Sequence, residues 1–337
     1  FLCQGGGACV SACPSGAMRY TLPRAANMLD GLRKLLQSYR DQGGQDAVIL
    51  FHDAEGGAER LAGLGDEVPG RIIPVPLEEL ASVGMEIWLS ALAYGAKRVG
   101  LLDTEQVPAR SRTELDQQLE VVSALLQGLG YPGTAVMRVA ADPGAWEAWV
   151  QAEDMPPIEA GSFWGEGGKR ETLFFALDHL AAQAGATVDA VSLPPQSPFG
   201  TLQIDKEACT LCMACVSVCP PHALADGGTA PRLDLYESRC VQCGLCETAC
   251  PEGAIRREPR YLLDPDTRNQ AQVLNDDPPF ECVTCGTPFA TRSMVLRMTE
   301  KLSGHWMYQT PRAQRRLHMC GECRAKDIML EEMERTQ

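Results

Sequence analysis

Eight of the fifteen cysteines in this chain of 337 residues lie between Cys209 and Cys250, in two copies of one pattern. Cys209, Cys212, Cys215 and Cys219 are followed by Pro220; Cys240, Cys243, Cys246 and Cys250 are followed by Pro251. Each copy reads C-x2-C-x2-C-x3-C-P, and no other stretch limits the possible folds as strongly. Three thiolates so close in sequence wrap a loop around one metal centre, with backbone N–H groups turned toward the sulfurs. The proline ends the loop and turns the chain away, so the fourth thiolate is free to serve elsewhere. The duplication extends past the cysteines: at an offset of 31 residues Leu202 matches Leu233, Ile204 matches Leu235, Ala223 matches Ala254 and Leu224 matches Ile255. These apolar residues are expected to lid the two centres.

The pattern resembles that of bacterial two-cluster ferredoxins, in which each run holds a [4Fe-4S] cluster and lends its fourth cysteine to the other run's cluster. The resemblance implies one cluster on Cys209, Cys212, Cys215 and Cys250 and a second on Cys240, Cys243, Cys246 and Cys219. The two would then be close enough for electrons to pass between them. Zinc sites pair one C-x2-4-C with a distant second pair, and disulfide frameworks belong to small secreted chains. Neither accounts for two full runs with both prolines.

With 45% hydrophobic residues the chain can bury substantial cores, in two or three domains. It begins with Phe1 inside a cysteine motif, which points to a fragment or a processed chain. No stretch of 18 consecutive apolar residues and no export signal is present, so no membrane span is expected. Thiolates in this arrangement need a reducing compartment, and the expected location is the cytoplasm. The formal charge of -14 argues against nucleic acid as a partner.

Residues 3 to 18, CQGGGACVSACPSGAM, form a third run whose ending aligns with those at 219 and 250. Cys3, Cys9 and Cys13 occupy ligand positions, but Gly6 stands where the pattern calls for cysteine. Three thiolates suit a [3Fe-4S] cluster, or a [4Fe-4S] cluster with one labile iron. The competing reading is a decayed run that folds without metal. From Ala25 to Arg40, apolar residues recur at helical spacing and Gly43-Gly44 stops the pattern. Strands are expected at 47–51, 71–75, 98–102 and 134–139, with helices at 77–94, 113–126, around Trp146 and at 171–183, and a last strand at Val188. This alternation predicts an α/β domain with a largely parallel sheet.

A doubly wound sheet binds ligands at the carboxyl ends of its strands. His52 to Gly57 follows the first strand but lacks a phosphate-loop fingerprint, and its acidic residues repel phosphate. Gly165 to Thr172 carries Lys169 and Arg170 at a helix start, which reads either as an anion site or as a linker capped by Glu171 or Thr172. Farther on, Cys282-x2-Cys285 and Cys320-x2-Cys323 have the form of a four-thiolate site. Zinc is the first reading and a further iron–sulfur cluster the second. Met294, Val295, Met298 and Leu302 would pack beneath it as a helix, and His305 and His318 are packing or surface residues since four cysteines complete the coordination. Arg312, Arg315 and Arg316 form a solvated helix face or a docking patch for an acidic partner.

The expected fold class is therefore α/β plus α+β, combining a parallel-sheet domain, a ferredoxin-like module for two [4Fe-4S] clusters and a small four-cysteine metal domain. The expected boundaries are a degenerate cluster run at 1–24, the α/β domain at 25–192, a linker at 193–200, the dicluster module at 201–262, a second linker at 263–279 and a zinc-ribbon-like domain at 280–337. The order of these parts, closing in F-x-C-x2-C-G-x-P-F and M-C-x2-C-R, is similar to a family of multidomain bacterial 4Fe-4S proteins whose gene often accompanies molybdenum formate dehydrogenase. That resemblance implies an electron carrier with a redox protein partner, a formate dehydrogenase among the candidates. Its alternative is an accessory or assembly factor for a molybdenum oxidoreductase. No base, nucleophile or dinucleotide fingerprint supports catalysis by the chain itself.

Overall fold

The computed structural model describes residues 7–20, 24–140, 142–165, 167–228 and 230–336. The chain divides into two compact units, one of residues 1–199 and 259–265, the other of residues 200–258 and 266–337. No helix among the described residues is long and apolar enough to cross a membrane.

The first unit runs α1 (Ala8–Ala12), α2 (Ala25–Asp41), β1 (Val48–Asp53), α3 (Gly56–Leu64), β2 (Ile72–Leu77), α4 (Met85–Ala93), β3 (Arg98–Asp103), α5 (Ala109–Gly128), β4 (Val136–Ala140), α6 (Pro143–Val150), α7 (Lys169–Ala184) and β5 (Ala190–Ser192). The first four strands form a parallel sheet in the order β2-β1-β3-β4. β1 and β3 are buried along their whole length, as continuous apolar runs covered on both faces must be. Alternation assigns the faces. Ile49, Phe51, Val99 and Leu101 belong to a core with α2, α4, α5 and α7 residues, whereas Val48, Leu50 and Leu102 join Leu64, Trp146 and Trp149 from α3 and α6. Gly100 makes room for this second layer, since a Cβ there would stand 2.5 Å from the Trp149 ring. Pro74 and Pro76, two apart in β2, lack donors on the same side of the strand, which suits the sheet edge where β2 lies.

Three local expectations differ. The helix read over 77–94 is shorter: Leu77 ends β2, and all nine residues of α4 are buried. A helix apolar on all sides is a core helix, and the apolar pattern of the sequence runs past its true start. α3 is not among the expected helices, because its glycine-rich sequence GGAERLAGL has weak helix propensity. The strand expected at Val188 is β5, which leaves the parallel sheet and pairs antiparallel with residues 260–262. Tyr261 in that returning segment donates its hydroxyl to Asp178 at 2.9 Å.

The second unit contains β6 (Gly200–Ile204), α8 (Ala214–Ser217), β7 (Leu224–Gly227), β8 (Ala230–Tyr236), α9 (Leu245–Ala249), the first part of β9 (Ile255–Leu262), α10 (Pro265–Asn269), β10 (Ala271–Asp276), β11 (Pro279–Glu281), β12 (Pro288–Thr291), α11 (Arg292–Leu302), α12 (Pro311–Arg316) and α13 (Gly321–Arg335). β10, β8 and β7 form an antiparallel sheet, and β11 pairs with β12. Residues 263–279, expected as a linker, instead carry α10 and β10. Their Pro, Asn and Asp content reads as loop, but pairing with β8 makes 271–276 a strand.

Candidate cluster and four-cysteine metal sites

The sequence repeat is also a repeat of backbone conformation. Leu211, Met213 and His222 have φ of 53°, 59° and 49°, and 31 residues on Gln242, Gly244 and Gly253 have φ of 55°, 78° and 60°. Left-handed residues at these places curl the chain so that successive backbone N–H groups point inward. A short helix follows the second left-handed residue of each loop, α8 after Met213 and α9 after Gly244. Leu202, Ala223, Leu224, Leu233, Leu235 and Ile255, paired by the repeat, are all buried around the cysteines.

Two cavities open inside these loops. One is lined by Cys209, Cys212, Cys215 and Cys250, together with Leu211, Leu233, Glu252 and Ile255. The other is lined by Cys240, Cys243, Cys246 and Cys219, together with Leu202, Leu235, Gln242 and Arg257. Each thus gathers three cysteines of one run and the last cysteine of the other. Burial pushes the Cys215 thiol up to about 11, with the neighbouring Cys209 and Cys212 adding to the effect. Burial likewise pushes Cys246 up to about 12, and the Cys240 sulfur adds to it. Thiols so crowded and desolvated become thiolates only when a cation takes the proton's place, which is the behaviour of cluster ligands. The donor set therefore fits two [4Fe-4S] clusters.

Hydrogen bonds hold the loops. Gln242 Nε2 donates to Cys240 Sγ at 3.3 Å and to the Thr201 carbonyl at 3.0 Å. The Ala254 N–H donates to Cys250 Sγ at 3.3 Å. Arg257 donates to the Gln242 carbonyl at 2.6 Å and pairs with Glu247 at 2.6 Å. Around the first run, Arg297 of α11 donates to the Ala208 carbonyl at 2.6 Å and meets Glu252 at 3.4 Å, while Thr291 Oγ1 donates to the Thr210 carbonyl at 3.1 Å. Gln242, Arg257 and Arg297 are not among the residues that the sequence singles out. The available signal for Gln242 is the break in the repeat, where Leu211 stands opposite a polar residue.

The sulfurs of Cys282, Cys285, Cys320 and Cys323 all lie within 4.8 Å of one another and form a four-cysteine metal site. Cys285 and Cys320 sulfurs are 3.8 Å apart, and the Cys320 N–H donates to Cys282 Sγ at 3.3 Å. Burial acts against the Cys282 thiolate, but the N–H groups of Cys320, Thr284 and Cys285 outweigh it and hold the thiol down at about 6. The Cys285 and Cys320 sulfurs push Cys323 up to about 12. Val295 of α11 is fully buried. His318 meets Thr299 Oγ1 at 3.1 Å, and His305 accepts from the Met307 N–H. Neither histidine belongs to the four-sulfur group. Two of the three arginines read as a docking patch are engaged locally: Arg312 pairs with Asp327 and Glu334, and Arg316 with Asp327 and Glu331.

The other sequence candidates fare differently. Cys3 lies outside the described residues, Cys9 is exposed and Cys13 is half-buried. Burial would raise the Cys13 thiol, but N–H groups of Met18, Ser15 and Ala17 and the Ser15 hydroxyl bring it down to about 7. Lys169 is engaged within the protein: its ammonium donates to the Val10 and Ser11 carbonyls and stands 3.6 Å from the Glu86 carboxylate. Arg170 donates to the Pro198 carbonyl and stacks 5.0 Å from the Phe174 and Phe199 ring centres. Nor do side chains of Glu171 or Thr172 cap α7, whose N-cap is Gly168. At the end of β1, the Asp53 carboxylate accepts from the N–H groups of Glu55 and Gly57 and from Thr104.

The sequence profile of the 4Fe-4S binding domain matches residues 202–225 and 234–256. The chain is 36% identical over 62 residues to NADH-quinone oxidoreductase subunit I of Pelobacter propionicus, covering 15% of this chain and 33% of that protein. It is 37% identical over 70 residues to an iron-sulfur subunit of the CoB–CoM heterodisulfide reductase of Methanocaldococcus jannaschii, covering 16% of this chain and 10% of the relative. These two relatives thus extend far beyond what the chain matches. A ferredoxin-like protein in the nif region of Azotobacter vinelandii is 35% identical over 80 residues, covering 22% of this chain and 79% of its own length. Carrying most of a ferredoxin-like protein within it, with both cysteine runs whole, the chain belongs to the 4Fe-4S ferredoxin family.

Proposed function

We propose that this protein passes single electrons between redox protein partners through two [4Fe-4S] clusters with exchanged fourth ligands. The observation that carries the reading is the pair of cavities, one gathering Cys209, Cys212, Cys215 and Cys250 and the other Cys240, Cys243, Cys246 and Cys219. When bound there, a [4Fe-4S] cluster takes up and releases one electron. The chain's own residues hold the cysteines, exclude water with Leu202, Leu224, Leu233, Leu235 and Ile255, and aim N–H donors at the sulfurs. Two electron sites on one small module provide an entrance and an exit. Two of the relatives are named as subunits, one of an oxidoreductase and one of a reductase, which supports a protein partner as the donor or acceptor.

We infer a molybdenum formate dehydrogenase as that partner, on the resemblance of the order of parts to the multidomain family described above, and the cytoplasm as the place where the two meet. The C-terminal site is read as structural zinc. Four thiolates on one ion at about 2.3 Å stand about 3.8 Å apart in a tetrahedron, close to the separation of Cys285 and Cys320. A four-iron cube would hold its thiolates farther apart than the 4.8 Å limit of this group. The N-terminal run, with Cys3, Cys9 and Cys13, is read as a site for a labile cluster.

The test is electron exchange with a purified formate dehydrogenase. Reduction of the cluster-replete chain by the enzyme and formate is expected, slowing as salt rises because exposed charges are screened beyond about 8 Å at physiological ionic strength. No reduction by the enzyme at any salt concentration would remove that partner. Turnover of a small substrate by the chain alone would remove the carrier role.

A further inference from the structure

We propose that Gln242 is a positioning residue that raises the reduction potential of the cluster held by Cys240, Cys243, Cys246 and Cys219, and so biases a single electron toward that cluster. The proposal deepens the two-cluster reading and rests on it. Its basis is a break in an otherwise faithful repeat. Leu211 and Gln242 occupy the same place in their loops, with φ of 53° and 55°, and both are buried. One is apolar and the other carries an amide.

The amide has one orientation. Its nitrogen donates to the Thr201 carbonyl at 3.0 Å, a group that can only accept, so the same nitrogen is the one 3.3 Å from Cys240 Sγ. The amide oxygen is buried with no hydrogen-bond partner. A leucine here would avoid that desolvation cost but would also remove the hydrogen bond to the Thr201 carbonyl. Space for it is reserved as well. A Cβ on Gly200 would stand 2.6 Å from Gln242 Cδ and 2.4 Å from the Glu258 carbonyl, whereas the repeat places Pro231 at the matching position. Arg257, whose counterpart is Asp226, holds the Gln242 carbonyl at 2.6 Å and lines the same cavity.

Reduction adds one negative charge to a cluster. An N–H donor on a ligand sulfur stabilises the more negative state, and the effect is strongest where water is excluded. Leu211 offers its cluster no such donor. The Ala254 N–H on Cys250 acts on the other cluster, but it is a backbone group that leaves the side-chain increment at 242 untouched.

The experiment is an EPR-monitored redox titration of the anaerobically purified full chain. Cys250→Ala serves to assign the two signals, and iron and sulfide content is checked in every variant. Gln242→Leu and Gly200→Ala should each lower the share of the first electron on the Cys240 cluster about tenfold, or ~59 mV for a one-electron couple. The potential of the Cys209 cluster should stay in place. In the unmutated chain, with 15N-glutamine incorporated, the reduced Cys240 cluster should show hyperfine coupling to an amide nitrogen. That measurement decides the matter even if a variant loses its cluster. Cluster-replete variants with an unmoved distribution, equal shifts of both clusters, or no such coupling would overturn the proposal. All three outcomes leave electron exchange with a partner intact, so they are distinguishable from failure of the carrier role.

Discussion

Arg98 is fully buried, with Nε on Asp154 at 2.6 Å, Nη2 on the Val150 carbonyl at 3.0 Å and Nη1 on the Trp149 carbonyl. Arg71 reaches the other Asp154 oxygen at 2.6 Å. Burial alone would raise the Asp154 carboxyl, but the two guanidinium groups outweigh it and hold it below its ordinary value. A carboxyl depressed by folding stabilises the fold above the unfolded value of about 3.9, and the contribution is lost as pH falls from there through the folded value. Asp154→Asn should therefore cost about 1–3 kcal/mol at neutral pH, less than for a wholly buried pair because Asp154 is partly exposed. It should also flatten the loss of stability below about pH 4. Tryptophan fluorescence during denaturation measures both, and an unchanged midpoint would refute the role assigned to the pair. At the cluster sites, Cys250→Ala should damage the cluster of Cys209, Cys212 and Cys215 although it lies in the other run. EPR showing loss only of the cluster of Cys240, Cys243 and Cys246 would refute the exchange.

At the scale of elements, metal ligation explains what was readable. Cluster loops tolerate few spacings, so the cysteines announce both sites, and their apolar partners repeat with them. The two central strands, β1 and β3, were legible for a similar reason, since strands covered on both faces must be apolar throughout. The paired C-x2-C motifs also marked residues that come together in space. What escaped depends on partners far away in sequence. β10 has an exposed Val273 and a loop-like composition, and only β8 makes it a strand. Arg312 and Arg316 look free until α13 supplies Asp327, Glu331 and Glu334. Gln242 is one glutamine among many until its amide is seen on a sulfur. The C-terminal elements β11, β12, α11 and α13 frame the four-cysteine site, for which one zinc per chain is expected. Elemental analysis of the full chain should show that zinc lost in Cys320→Ser with the eight-cysteine iron retained. Iron in place of zinc, or zinc unaffected by the substitution, would contradict a structural zinc site.

For the whole molecule, the first unit is a parallel α/β sheet with the Asp53 carboxylate bound by local donors at the end of β1, and with Lys169 and Arg170 engaged internally. The chemistry is concentrated in the second unit, in two cavities that share their cysteines across the repeat. An electron carrier requires both to hold clusters at once, within one module and near each other. The most direct measurement is EPR of the anaerobically purified full chain after complete chemical reduction. About two spins per chain are predicted from the eight cysteines, with signals broadened by coupling between neighbouring paramagnets. About one spin with no coupling, in protein whose iron and sulfide content is complete, would contradict the two-cluster account.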